Sequence, residues 1–314
     1  MKIIHSFPET PISGIKKGLT YPIITIGNFD GLHLGHQVIM RSVVKEAEMK
    51  GGTGIVVTFE PHPSRLLAPD RPLKLLTSFD ERVRLIEGLG IDMVICARFD
   101  EKFAHLSPYE FSANILHGEI GAKEIYVGED FAFGYKRSGK IEDLKRFGKE
   151  FGFKVDTIPP VILDGERVSS SRIRGLIGDG KVGESARLLG RYYSIEGLVV
   201  AGKNRGKELG YPTANVRPPD EMIPKDGVYA AKVTLDATSM DGITYIGNQP
   251  TFGINEKMVE VHIFNCDKNL YDKRLRITFI DHIRDDVTFE SRDLLIRQIK
   301  DDIRRAKELL LSQG

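Results

Sequence analysis

The chain has 314 residues, 41% of them hydrophobic, which suits two compact domains and excludes a disordered chain. Its 45 Lys and Arg against 44 Asp and Glu leave a net charge of +1, which implies neither a nucleic-acid partner nor an anionic membrane. Two cysteines, Cys96 and Cys266, lack the spacing of a disulfide framework or a Cys-based zinc site; no signal-peptide pattern opens the chain, and no apolar run nears the roughly 20 residues of a membrane span, so the expectation is a soluble cytoplasmic protein.

In chain order, PIITIGNF reads as a buried strand and HQVIMRSVVKEAEMK as an amphipathic helix with Val38, Ile39, Val43 and Ala47 at helical spacing. GIVVTF is a strand, SFDERVRLIEGLG a helix opened by Ser78, and DMVICARF a strand. SPYEFSANILHGEI is a helix with Pro108 near its start, EIYVGEDF a strand, KIEDLKRFGKEFG a helix and KVDTIPPVIL a strand. Alternation of this kind predicts a parallel sheet with helices on both faces and ligands beyond the carboxyl ends of its strands. After SRIRGLIGDGKVGESARLLG the pattern changes to short strands without helices: SIEGLVVAG, GVYAAKVTLD, ITYIGN, MVEVHIFN and RLRITFIDHI. These predict a small antiparallel barrel or sandwich. A last helix carries the stripe Leu295, Ile299, Ile303, Ala306 and Leu310, suited to packing on that barrel. The domains expected are 1–184 and 185–314.

The stretch TIGNFDGLHLGH, residues 25–36, runs from strand through a glycine turn into a helix start. Free N–H groups and the helix dipole there favour an anion such as phosphate. Gly31 and Gly35 let the backbone approach a ligand, and His33 and His36, three residues apart, can face one anion. Imidazole donors at such a place stabilise a phosphoryl group in transfer and a departing pyrophosphate. HxxH alone also fits two surface histidines, or zinc ligands lacking a third partner. The whole stretch resembles the HxGH signature of the nucleotidyltransferase superfamily, which moves a nucleotide monophosphate from an NTP to a phosphate or carboxylate. That resemblance makes His33 and His36 catalytic and assigns Gly27, Asn28, Phe29, Asp30, Gly31 and Gly35 to the nucleotide loop. VSSSRIRGLI, residues 168–177, resembles the ISSTxxR element of that superfamily, with Ser171 where Thr is common. It implies catalytic roles for Ser170 and Arg174, with Ser169 and Ser171 beside the phosphates; serines here also suit a plain helix cap.

TFEPHPSRLL and VGEDFAFGYKRSG resemble segments of the bacterial FAD synthetases, with Lys140 departing from the usual residue. They imply flavin contacts from Phe59, Pro61, His62, Asp130 and Phe131, although phenylalanines such as Phe59, Phe131 and Phe133 also serve cores. GKNRGKELGYPTANV resembles the GxxxGxxLGxPTAN motif of riboflavin kinases. Gly202, Lys203, Arg205, Gly206 and Lys207 suit a basic phosphate flap, while Thr213 and Asn215 are hard oxygen donors on one side of an extended segment, suited to Mg²⁺. In MVEVHIFN, Glu260 falls on the family's general base; Arg284, in IRDDVTFES, would help hold the flavin. Gln249, Asn265, Asp272 and Asp286 depart from the family pattern at turns and near the flavin segment.

The resemblance covers nearly the whole chain and identifies it as a member of the bifunctional riboflavin kinase/FAD synthetase family. It implies an α/β Rossmann-like nucleotidyltransferase domain followed by an antiparallel β-barrel kinase domain with a C-terminal helix. The expected substrates are riboflavin, FMN and ATP with Mg²⁺, giving FMN and then FAD, with no nucleic acid and no membrane partner. Retention of one activity only, nucleotidyl transfer to another phosphate acceptor, and a flavin-binding sensor stand as the alternatives.

Overall fold

The computed structural model describes residues 1–6, 15–71, 73–202, 206, 209–251 and 254–312. The chain divides into two compact units, Met1–Val168 and Ser169–Gly314.

The first unit is built on six parallel strands: β1 (Lys2–Ser6), β2 (Pro22–Ile26), β3 (Thr53–Glu60), β4 (Met93–Arg98), β5 (Glu124–Gly128) and β6 (Lys154–Ile158), in the order β1-β4-β3-β2-β5-β6. The helices are α1 (Leu34–Lys50), α2 (Pro63–Leu67), α3 (Phe79–Glu87), α4 (Glu101–Ala104), α5 (Pro108–Glu110) and α6 (Ile141–Phe151), with α5 continuing as a π-helix, Phe111–Ile120. A small hairpin follows, β7 (Ile162–Leu163) and β8 (Glu166–Arg167).

Every residue of β2 is buried, as a strand covered on both faces must be. Successive side chains alternate between two cores. Ile23 joins Met40, Val43, Val56, Ile86 and Val94 on one face; Ile24 and Ile26 join Ile55, Ile95, Phe111, Leu116 and Leu144 on the other. Ser78 caps α3 by accepting from the Glu81 N–H at 3.2 Å, and Ser107 forms a capping box with Glu110 ahead of Pro108. The stripe on α1 differs from the expected one. Val43 and Ala47 are buried, but Val38 is exposed and Met40 lies in the core instead. Met40 is the residue that keeps the 3-4-7 spacing with Val43 and Ala47.

From β2 the chain builds outward through β3 and β4, then returns to the other side of β2 for β5. The loops after β2 and β5 therefore part, leaving a crevice at the carboxyl edge of the sheet.

The second unit opens with α7 (Ser170–Gly178) and α8 (Val182–Leu189). The expected domain boundary, between 184 and 185, falls within α8. A closed antiparallel barrel follows from β9 (Ser194–Val200), β10 (Ala214–Val216), β11 (Gly227–Leu235), β12 (Thr238–Thr251), β13 (Ile254–Ile263) and β14 (Arg274–Asp285), in the order β10-β13-β12-β11-β14-β9. Closure comes from β9 pairing with both β10 and β14. Alternate residues of β9 point inward, burying Ile195, Gly197 and Val199. Helix α9 (Arg292–Leu311) lies on the barrel; Ala306 and Leu310 of its expected stripe are buried against Ala230 and Ile280. Its earlier members, Leu295, Ile299 and Ile303, line a cavity instead.

Met40→Ala should destabilise the first unit by about 2–5 kcal/mol, because a fully buried side chain is lost without room to collapse. Chemical denaturation followed by a probe in that unit measures it; a change below about 1 kcal/mol would contradict the packing described.

Candidate functional site

The loop after β2 is held in an unusual shape. Phe29, Gly31 and Leu32 have φ of 50°, 79° and 42°. Two of these are not glycine, and such conformations cost about 1–3 kcal/mol each, so something must hold them. The carboxylate of Asp30 does so. It is 3% exposed and its Oδ1 accepts from the Leu76 N–H (2.8 Å), the Thr77 N–H (3.2 Å) and the Thr77 hydroxyl (3.4 Å). The Gly31 N–H donates back to Thr77 Oγ1 at 3.1 Å. A Cβ on Gly31 would lie 2.6 Å from Leu76, so the close approach of the two loops requires glycine. Asp30 thus points into the protein as an anchor. Phe29 and Leu32 are buried in the core beneath α1, and Gly27 leaves space for the Phe29 ring.

The loop delivers two histidines to the start of α1. His33 is its N-cap residue, 7% exposed, and its Nδ1 accepts from the His36 N–H at 3.4 Å. The two rings stack with centroids 3.6 Å apart and planes at 20°, and Phe29 meets His36 edge-on at 5.2 Å. Gly35 passes so near the His33 ring that a Cβ would stand 3.1 Å from it. The first turn of α1 holds no acidic residue, so the positive end of its dipole is uncompensated. Burial, with His33 alongside, holds the His36 imidazole well below its usual 6.5. Its Nδ1 is buried without a hydrogen-bond partner among the described residues. A neutral ring with an open nitrogen and a helix start free of carboxylates can receive an anion.

Asn28 and the expected flavin segment are linked by a residue that the sequence reading did not single out. Arg82, on α3 and 1% exposed, donates from Nη1 to the Asn28 carbonyl (2.8 Å) and from Nη2 to Glu60 Oε2 (3.1 Å). Glu60 leads into Pro61 and His62. His62 is 6% exposed and caps α2, its Nδ1 accepting from the Ser64 N–H at 3.2 Å. Phe59 is partly buried and meets Phe99 and Phe103 edge-on; Phe131 is half-buried and stacks on the buried Phe133 at 5.6 Å. Asp130 is exposed and paired with Arg167 at 2.8 Å. Phe59 and Phe131 each have one side committed to aromatic packing.

Ser169 caps α7, its Oγ accepting from the Arg172 N–H at 3.3 Å; Ser170 and Arg174 stand four residues apart on the same helix face, and Ser171 is exposed.

In the barrel, Asn215 on β10 lies directly opposite Glu260 on β13. Thr213 Oγ1 donates to Glu260 Oε2 at 3.4 Å. Gly202 and Gly206 press on this pair: a Cβ on Gly202 would meet Asn215 Nδ2 at 1.8 Å, and one on Gly206 would meet Thr213 Oγ1 at 2.9 Å. Lys203, Arg205 and Lys207 lie outside the described residues. His262 donates from Nδ1 to the Pro212 carbonyl at 2.8 Å and so ties the turn before Thr213 to β13. Thr213 and Glu260 sit in the wall of a cavity of about 450 Å³ between the outer face of the barrel and α9. Tyr245, Met258, Phe289 and Ile299 add apolar and aromatic lining, a composition and size suited to one small molecule. Burial, with Asp286 beside it, pushes the Tyr245 hydroxyl up to about 12. Arg284 lines the same cavity, its guanidinium held by the buried Asp302 at 2.9–3.0 Å and lying over Phe289. Two of the unusual turn residues have a backbone reason: Asn265 and Asp272 adopt φ of 53° and 59°, which Asn and Asp tolerate best after glycine.

Comparison with known proteins fits this two-part arrangement. Residues 16–172 match the FAD synthetase family and residues 189–310 the riboflavin kinase family. A protein from Buchnera aphidicola subsp. Schizaphis graminum, named bifunctional riboflavin kinase/FMN adenylyltransferase, is 35% identical over 98% of each chain. One of the same name from Escherichia coli K12 is 33% identical over 97% of this chain and 96% of its own. A solved structure described as a macrolide-efflux protein from Streptococcus pneumoniae superposes with a TM-score of 0.86 at 31% identity, over 98% of this chain and 99% of that one. Among the described residues no helix is long and apolar enough to cross a membrane.

Two outcomes follow from the geometry. As pH falls below 6.5, the unfolded chain takes up a proton that the folded His36 site refuses, so stability should decline from that point downward. NMR should show the His36 ring neutral at pH 6.5; a folded-state midpoint at or above that value would contradict its burial. Gly202→Ala should displace Asn215 and lower the activity of the barrel unit roughly tenfold or more while sparing the sheet unit, as steady-state assays of each would show.

Proposed function

The chain belongs to the bifunctional riboflavin kinase/FMN adenylyltransferase family, and we propose which of its residues carry the two reactions. It phosphorylates riboflavin with ATP to give FMN, then adenylylates FMN with a second ATP to give FAD and pyrophosphate. The observation that carries the residue assignment is that Thr213 and Glu260 meet at the wall of the barrel cavity, with Asn215 opposite Glu260 on the neighbouring strand.

In the kinase reaction, Glu260 takes the proton of the riboflavin terminal hydroxyl as its oxygen attacks the γ-phosphorus of ATP, and ADP departs. The aromatic and apolar lining from Tyr245, Met258 and Phe289 receives the isoalloxazine, and Arg284, fixed by Asp302, borders it. The Thr213 hydroxyl and Asn215 carboxamide are hard oxygen donors that fit Mg²⁺, which when bound supplies charge neutralisation for the phosphates. Their motif assigns Gly202, Lys203, Arg205, Gly206 and Lys207 to the phosphates of that nucleotide.

In the adenylyl transfer, a phosphate oxygen of FMN attacks the α-phosphorus of ATP and pyrophosphate leaves. The His33 and His36 rings and the N–H groups at the start of α1 hold the triphosphate and stabilise charge on the leaving group. Gly27, Gly31 and Gly35 keep the backbone close, and Asn28 and Asp30 hold the loop in shape. Ser170 and Arg174, with Ser169 and Ser171, are assigned to adenylyl transfer by their motif alone. Phe59, Pro61, His62, Asp130 and Phe131 border the FMN. The place of action in this reading is the cytoplasm.

Incubation with riboflavin and Mg-ATP followed by product separation tests the whole reading; FMN without FAD would remove its second half. His36→Ala should abolish FAD formation while FMN still accumulates. Glu260→Gln should slow FMN formation by about 10²–10⁴-fold and leave FMN adenylylation intact. Unchanged FMN formation would remove Glu260 from the mechanism.

A further inference from the structure

We propose that Arg82 is a positioning residue for adenylyl transfer, fixing the histidine loop and neutralising Glu60 at the edge where anionic substrates arrive. The proposal rests on the assignment of adenylyl transfer to the sheet unit. A guanidinium stays charged however deeply it is buried, so it must be met by acceptors. Arg82 spends its two terminal nitrogens on the ends of adjacent strands: the Asn28 carbonyl just past β2, and the Glu60 carboxylate at the end of β3. Its Nε is buried without a partner among the described residues. A leucine would fill this space without that cost, so packing alone gives poor grounds for an arginine here.

What the guanidinium holds explains its presence. The Asn28 carbonyl is the last acceptor before the left-handed run at Phe29, Gly31 and Leu32. Thr58 Oγ1 also donates to it, at 3.4 Å, but with a neutral hydroxyl. Asp30 ties the middle of the loop to residues 76 and 77, so Arg82 and Asp30 together hold both its entry and its turn. Glu60 differs from Arg82 in exposure: its side chain is 39% exposed against 1%. It therefore presents a carboxylate at the carboxyl edge of the sheet, where FMN and the ATP triphosphate must approach. The Arg82 charge cancels that repulsion from beneath without occupying the space of either substrate.

The two roles separate kinetically. Wild-type conversion of FMN to FAD is measured first, and its absence would sink the assignment of the reaction rather than the role of Arg82. With FAD formed, Arg82→Met should lower kcat for adenylylation about 10- to 100-fold, as expected for loss of a charged hydrogen bond that orients the site, and raise KM for FMN several-fold. Riboflavin phosphorylation by the same polypeptide should stay within about twofold, and chemical denaturation followed by a probe in the sheet unit reports that this unit is folded. Adding Glu60→Gln to Arg82→Met should return KM for FMN toward the wild-type value while kcat stays low, because the charge is gone but the Asn28 tie is not restored. Arg82→Lys should keep KM near normal with an intermediate kcat. Wild-type kcat and KM in Arg82→Met overturn the proposal, as does failure of Glu60→Gln to recover KM. Should Arg82→Met not fold, Arg82→Lys with unchanged kcat overturns it equally.

Discussion

The carboxylate of Asp30 holds the loop after β2 in a conformation it would not adopt alone. Three donors from residues 76 and 77 converge on one of its oxygens, and the loop answers with the Gly31 N–H on Thr77. Because the carboxylate is almost fully buried, these bonds are made in a medium that strengthens them and penalises their loss. They offset the backbone strain at Phe29 and Leu32, and that strained path places the two imidazoles face to face at a helix start. Preorganisation of this kind is what phosphoryl and nucleotidyl chemistry asks of a protein, since little covalent work is left to it.

The barrel solves the same problem with a ladder in place of a clamp. Asn215 and Glu260 are brought opposite each other by the register of β10 on β13, and β10 is only three residues long. So short a strand holds its register because it is paired on both sides, with β9 as well as β13. The His262 bond to Pro212 and the two glycines pressing on Thr213 and Asn215 remove the remaining freedom. Closure of the barrel thus serves the site directly: an open edge at β10 would leave the threonine and asparagine free to slide by a residue and turn to the other face.

Much of this was legible in the sequence for physical reasons. The alternation of strand and helix, the helix start at Ser78, and the change to short strands after α8 come from periodicity and capping preferences that a folded chain must obey. The histidine pair and the PTAN segment were legible through their resemblance to family motifs, since spacing alone leaves surface histidines and a plain turn open. Other features were hidden. Arg82 sits in a helix whose other arginine, Arg84, is exposed, and nothing in the one-dimensional pattern says which guanidinium turns inward. Asp30 read as a ligand-loop residue, yet its carboxylate faces Thr77, 47 residues onward, a pairing no local pattern reveals. On α1, Val38 and Met40 exchanged places because two apolar residues flanking one stripe look alike until the sheet chooses a face. The interior role of Asp302, on an otherwise charged surface of α9, likewise depends on Arg284 from a distant strand.

The cap made by His33 carries a consequence for proton bookkeeping. An imidazole nitrogen that receives an amide hydrogen must offer a lone pair, so the Nδ1 of His33 is unprotonated whenever the helix is capped this way. The ring's own hydrogen is then assigned to Nε2. One main-chain amide thereby selects the tautomer and makes Nε2 the donor of the ring. Acid that adds a second hydrogen must evict the amide, and the beginning of α1 and the polarity of the ring change together.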